Sequence, residues 1–163
     1  APLFALAEAL RGRGCRVDFV LGAGSEDRLF GVLDAKRMAS TVAVTTDDGS
    51  HGRQGLVTLA LDEYLPEAGI VYACGPMPML RAVAYAATER GVPSYVAVEE
   101  SMACGIGVCM TCVLPVVGED GVTRMVRSCV EGPVFLGDRV RWDDVGTVPP
   151  DVLGSITAVG GGH

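Results

Sequence analysis

Glu99-Glu100-Ser101-Met102-Ala103-Cys104-Gly105-Ile106-Gly107-Val108-Cys109-Met110-Thr111-Cys112 packs three thiols into fourteen residues, and Cys129 follows after sixteen intervening residues. The pattern C-x4-C-x2-C, then a distant C, is the plant-type 2Fe–2S spacing, in which four thiolates hold two irons. A tight loop presents three sulfurs and a separate segment closes the site with the fourth. Gly105 and Gly107 suit a backbone wrapped round a cluster, because glycine tolerates positive φ and leaves amides free to point at sulfur. Met102, Ile106, Val108 and Met110 are expected to form an apolar shell that limits solvent access. Two other readings of the thiols stay open, a four-thiolate zinc site and a disulfide pair. Zinc sites usually pair two short Cys knuckles, and only Cys109/Cys112 makes one here.

Upstream of this stretch the pattern is a different one. The chain has 163 residues, nearly half of them apolar, with 22 glycines and a net charge of −7. That is enough for one good core and a small appendage. The acidic balance argues against nucleic acid or an anionic membrane as partner, since both attract basic surfaces. No uncharged apolar run reaches the roughly 18 residues of a spanning helix, and no secretory signal opens the chain. Six cysteines, four of them in a metal pattern, suggest a reducing compartment, with cytoplasm as the default.

Residues 2–11 read as a helix, with Pro2 in its first turn and Gly12 and Gly14 beyond it. Residues 16–21 read as a strand, followed by Gly22-Ala23-Gly24. Ser25 is the expected N-cap of a second helix reaching Met38. Residues 41–45 form a β-branched strand ending in the turn Thr46-Asp47-Asp48-Gly49-Ser50. A helix over 56–65, a strand over 70–74, a helix over 79–90 and a strand over 94–98 complete the alternation. Such alternation predicts an α/β fold, a parallel nucleotide-binding sheet with helices on both faces. Right-handed crossovers gather the loops after the strands on one edge, where nucleotides bind in open sheets.

Three of those loops stand out. Asp47 and Asp48 sit where a carboxylate can bond a ribose hydroxyl, or where Asp-Gly simply makes a turn. Cys74 ends a core strand and, taken by itself, reads first as a small buried hydrophobe. Gly75-Pro76 behind it lets a flat ring approach the backbone. Cys15, His51 and His163 are assigned no role. After the cluster loop, residues 113–117 and 122–127 form a β-hairpin candidate that brings Cys129 back, and residues 132–135 and 139–142 can add a further strand. The division expected is a nucleotide domain over 1–98, a small β-rich cluster domain over 99–145, and a tail over 146–163 ending in Gly160-Gly161-Gly162 and His163.

Taken together, the cluster run, Arg127-x-Cys129-x-x-Gly132-Pro133-Val134-Phe135, the upstream Thr46-Asp47-Asp48-Gly49-Ser50-x-Gly52-x-x-Gly55-x-Val57-Thr58 and Cys74-Gly75-Pro76 resemble one family. It is the electron-transfer subunit of NAD-dependent (class 1B) dihydroorotate dehydrogenase, in the ferredoxin-reductase superfamily. The resemblance covers residues 1–142. It implies that Cys104, Cys109, Cys112 and Cys129 ligate a 2Fe–2S cluster. It also implies that Cys74, Gly75 and Pro76 lie near nicotinamide and flavin, and that Asp47, Asp48 and Gly49 lie at the nucleotide edge. An FAD-binding barrel precedes such a nucleotide domain in the family, and an FMN-containing catalytic subunit is its partner in a heterotetramer. Electrons then run from dihydroorotate through the cluster and FAD to NAD+, in pyrimidine synthesis. Against that pattern the barrel, the first strand and the glycine-rich phosphate loop are missing, so the chain is expected to be a fragment, or a gene piece completed by another chain, that binds neither FAD nor NAD tightly alone. Gly24 stands where relatives often carry Arg, which favours NAD over NADP. No general acid or base is assigned, because the cofactors carry the electrons. A reductase component of an oxygenase or hydrogenase, and a zinc-stabilised binding module, are the alternative readings. Glu99 and Glu100 read as a solvated pair or as a docking contact for the catalytic subunit.

Overall fold

The computed structural model describes residues 2–155; the final glycine triplet and His163 lie outside the described residues. Two compact units divide the chain, Ala1–Gly69 and Ile70–His163.

The first unit holds α1 (Pro2–Gly12), β1 (Asp18–Ala23), α2 (Val32–Met38), β2 (Thr41–Thr46), β3 (Arg53–Gln54) and α3 (Val57–Tyr64). β1 pairs in parallel with β2, and β2 with β3, in the order β1-β2-β3. Side chains alternate across a strand, and the alternation in β1 sets the layers. Phe19 and Leu21 join Val17 and Val42 against α1 and α2, in a core centred on Ala7, Phe19 and Ala35. Gly22 faces the other way, where an added Cβ would come 3.0 Å from Val57 Cβ at the start of α3. The sheet therefore carries helices on both faces.

One expected helix is broken. Ser25 caps nothing; its hydroxyl bonds to the Asp27 carboxylate, and only a 3-10 turn, Glu26–Arg28, follows. The helix proper waits until Val32, because Gly31 adopts φ 72° and the Phe4 ring fills the space a side chain would need there. Phe4 also stacks on Phe19, with centroids 5.3 Å apart. A contact from 27 residues away thus overrides the local helix signal.

The second unit begins with β4 (Val71–Cys74), α4 (Met77–Glu89) and β5 (Ser94–Ala97). β4 and β5 are parallel, with Tyr72 opposite Tyr95 and the two rings stacked at 5.6 Å. α4 packs on both strands and buries Leu80, Val83, Ala84 and Ala87 at helical spacing. The parallel strands are thus shared between two three-stranded sheets rather than forming one. β8 (Val134–Leu136) completes the second sheet by pairing antiparallel with β5, Ala97 opposite Val134. The sequence pattern had suggested an additional strand here but not its partner.

Between β5 and β8 lie the cluster loop and the hairpin β6 (Val113–Val117) and β7 (Thr123–Arg127), in register from Val113↔Arg127 to Val117↔Thr123. At its turn the Asp120 carboxylate accepts from Arg124 at 2.6 and 2.8 Å and from the Val122 amide at 3.1 Å. The Arg124 bonds, then the amide, hold its pKa below the ordinary carboxylate range. A short α5 (Ser128–Glu131) follows β7 and carries Cys129. Residues 139–141 flank the hairpin through Val117 N–H to Arg139 O and Arg141 N–H to Pro115 O. Although residues 146–155 have little sequence pattern, Val152 is buried and the Leu153 amide donates to Thr123 O.

Candidate iron–sulfur and nucleotide site

The loop between β5 and β6 is built from left-handed residues. Gly105 (φ 65°), Gly107 (φ 79°) and Met110 (φ 57°) all lie in that region, and Met110 is the one non-glycine residue among the described residues that does. The turns they make aim backbone amides at sulfur: Val108 and Cys109 N–H donate to Cys104 Sγ at 3.3 and 3.4 Å. The Thr111 hydroxyl donates to Cys109 Sγ at 3.1 Å. These contacts favour the thiolate, and Cys109 falls to about 6, the Thr111 hydroxyl being the largest cause.

Cys112 and Cys129 form a second couple. Ser128 N–H donates to Cys112 O at 2.9 Å and fastens α5 to the loop. The backbone at Cys129 and then its thiol lower Cys112, while the hydrogen bond with Cys112, then burial, raises Cys129. The Gly107 amide faces the Cys129 sulfur and opposes that rise. All four cysteines are reduced, with Cys112 buried and Cys109 exposed. Among the described residues no three Cys, His, Asp or Glu side chains converge on one point as ligands of a single ion. The thiols stand instead as two couples, Cys104/Cys109 and Cys112/Cys129.

The expected apolar shell is not closed. Met102, Ile106, Val108 and Met110 are all exposed, Ile106 and Val108 at 74%. Arg127, named in the sequence only as part of the motif around Cys129, has a contact of its own. Its guanidinium donates to Gly107 O at 3.0 Å and to Glu131 at 2.8 Å.

The nucleotide-edge candidates fall at the carboxyl ends of their strands, as parallel α/β topology requires. In the first unit, Asp47 and Asp48 amides donate to Ala23 O and Gly24 O and join the loops after β1 and β2. Asp48 is committed to the turn: its carboxylate accepts from Ser50 N at 2.9 Å and Ser50 Oγ at 2.6 Å. Those bonds lower its pKa. Gly49 takes φ 75°, against Gln54. Asp47 is exposed, and its carboxylate makes no hydrogen bond or ion pair among the described residues. In the second unit, Cys74 ends β4, Gly75 (φ 154°) faces Met79, and Pro76 precedes the first turn of α4. The Cys74 thiol donates to Glu99 Oε1 at 3.8 Å, and burial, then the Glu99 charge, raises its pKa.

Such a fold and thiol loop define a class: an iron–sulfur segment attached to a parallel α/β fold of the ferredoxin–NADP reductase type. Residues 99–141 match the family described as the iron-sulfur cluster binding domain of dihydroorotate dehydrogenase B. The chain is a relative of the electron transfer subunits of dihydroorotate dehydrogenase B (NAD(+)). It is 41% identical over 139 residues to the subunit of Bacillus caldolyticus, covering 85% of this chain and 52% of the relative. It is 39% identical over 156 residues to a probable subunit of Methanopyrus kandleri, covering 94% and 56%. The chain thus spans about half the length of the curated relatives it matches. Among solved structures it is similar to a chain of an NADH-dependent reduced ferredoxin–NADP oxidoreductase, studied for flavin-based electron bifurcation. The TM-score there is 0.72 at 36% identity, over 86% of this chain and 50% of that one.

Proposed function

We propose that Cys104, Cys109, Cys112 and Cys129 hold a 2Fe–2S cluster, and that the protein is the electron-relay part of an NAD-linked dihydroorotate dehydrogenase. The observation that carries this reading is the pairing of the four thiols within the segment that matches the iron–sulfur family. When bound, the cluster accepts and passes on single electrons. The chain's own residues fix the sulfurs: Gly105, Gly107 and Met110 shape the loop, Thr111 bonds one thiol, and Ser128 fastens the segment bearing the fourth. Residues 1–98 serve as the nucleotide domain, residues 99–145 as the cluster domain. In the nucleotide domain Asp47, Asp48 and Gly49 are NAD-contact candidates of the first unit, and Cys74, Gly75 and Pro76 are those of the second.

The finer reading follows what the family resemblance implies. Dihydroorotate oxidised on an FMN-containing partner, in a cytoplasmic heterotetramer, supplies electrons that reach NAD+ through the cluster and an FAD. Among the described residues no helix is long and apolar enough to cross a membrane. Co-purification with the candidate catalytic subunit, assayed for dihydroorotate-driven reduction of NAD+, tests the reading. A complex that reduces NAD+ supports it; no reduction by an iron-loaded complex rejects it. A second reading, a subunit of an NADH-linked ferredoxin–NADP reductase, is favoured by the 36% identity to such a chain. Ferredoxin in place of dihydroorotate in the same assay distinguishes the two.

A further inference from the structure

The two segments that supply thiols, the loop over 104–112 and α5 with Cys129, meet at one cation. Arg127 is the last residue of β7 and stands directly before α5. Its Nη1 donates to Gly107 O at 3.0 Å, across 20 residues of sequence. Its Nη2 donates to Glu131 Oε1 at 2.8 Å, and its backbone N–H donates to Glu131 Oε2 at 2.6 Å. Glu131 thus grips the residue at both ends and leaves one edge of the guanidinium for the loop.

The grip lands on a tightly constrained residue. Gly107 is held at φ 79°, and a Cβ there would lie 2.5 Å from Val130 Cγ2 and 3.4 Å from Arg127 Nη1. Loop and α5 therefore touch through Gly107, with Val130 and Arg127 on either side. Arg127 is 35% exposed, and its charge interacts with Cys112 and Cys129. A cation so placed is screened less than one in open water. It favours whichever state of a neighbouring thiolate-ligated centre carries more negative charge, and reduction adds one electron's worth. Planar guanidinium geometry allows the bonds to Gly107 and Glu131 at once, whereas an ammonium presents only a point charge.

We propose that Arg127 is a positioning residue for the cluster, clasping the Cys129 segment to the Gly107 turn and raising the cluster's reduction potential by its charge. The inference rests on the reading that the four cysteines hold a 2Fe–2S cluster. That reading is tested first and separately: wild-type protein loaded anaerobically with iron and sulfide must show the visible absorption and reduced-state electron paramagnetic resonance of such a centre.

Arg127→Gln and Arg127→Lys are then compared with it by dithionite redox titration and by the rate of iron release to a chelator. The expected result splits the two roles. The Gln variant has a more negative midpoint potential and releases iron at least threefold faster. The Lys variant regains most of the wild-type potential but still releases iron faster. Wild-type potentials in both variants would overturn the proposal, as would a Lys variant whose potential falls as far as that of Gln. If the Gln variant holds no cluster, Lys decides alone: wild-type potential with faster release supports the clasp, and unchanged release refutes it.

Discussion

Cys74 and Glu99 are joined by a thiol-to-carboxylate hydrogen bond of 3.8 Å, so the turn that ends β4 is tied to the first residue of the cluster segment. The bond gives Glu99 a structural task that neither solvation nor partner docking had suggested. Glu99 also contributes to the reactivity of the thiol. Burial, then the Glu99 charge, holds Cys74 above its ordinary value, so its thiolate is scarce at mildly alkaline pH. Glu99→Gln removes the second cause and is expected to raise the alkylation rate of Cys74 at about pH 8. Site-resolved mass spectrometry in a Cys15→Ser background reads this; an unchanged rate contradicts it.

The opposite shift at Cys109 makes a pH prediction for metal-free protein. Its folded pKa is depressed to about 6. Its contribution to stability is therefore fully present above the unfolded thiol value of about 8.5 and is lost as pH falls through the folded value. Thr111→Val removes the largest cause. Cys109 alkylation in metal-free protein is expected to be half-maximal at about 6, and at a higher pH in the variant. Coincident profiles for the two proteins contradict the assignment.

Two glycines of the same hand separate strain from crowding. Gly121 has φ 75° with nothing near its missing side chain, whereas Gly107 has φ 79° with Val130 Cγ2 2.5 Å away. Gly121→Ala is expected to cost about 1–2 kcal/mol from left-handed backbone alone. Gly107→Ala adds displacement of α5, so it destabilises more and lowers the iron bound per chain. Equal losses in urea unfolding, with equal iron content, would remove the distinction.

Asp47 and Asp48, adjacent in sequence, do different jobs in the turn. Asp48 accepts both Ser50 donors, while the Asp47 carboxylate is exposed. Asp48→Ala is expected to lower Tm, and Asp47→Ala to leave it unchanged. In the assembled complex Asp47→Ala is expected to weaken NADH binding through loss of a ribose contact. Fluorescence titration with wild-type affinity excludes Asp47 from the site.

Where sequence and structure part company, the cause is distance along the chain. The thiol spacing was legible because one short loop carries three of the four sulfurs, and the alternation of strands and helices was legible from local apolar periodicity. The helix begun at Ser25 failed because Phe4 occupies the space over Gly31, a relation no local window contains. Pairing of β8 with β5 was invisible for the same reason, 37 residues separating Ala97 from Val134. Arg127 stood in the motif around Cys129, but nothing in that motif said which backbone group its guanidinium would reach, since Gly107 lies 20 residues upstream.

β8 has a consequence for how the iron-bearing segment is held. The chain leaves β5 at Ala97 and returns opposite it at Val134, with the Val98 amide donating to Pro133 O at 2.9 Å. Departure and return are neighbours, so ladder hydrogen bonds, not metal–sulfur bonds, bear the entropy of closing this long excursion. Like a drawstring bag with its neck already tied, the segment is closed at its root by backbone hydrogen bonds.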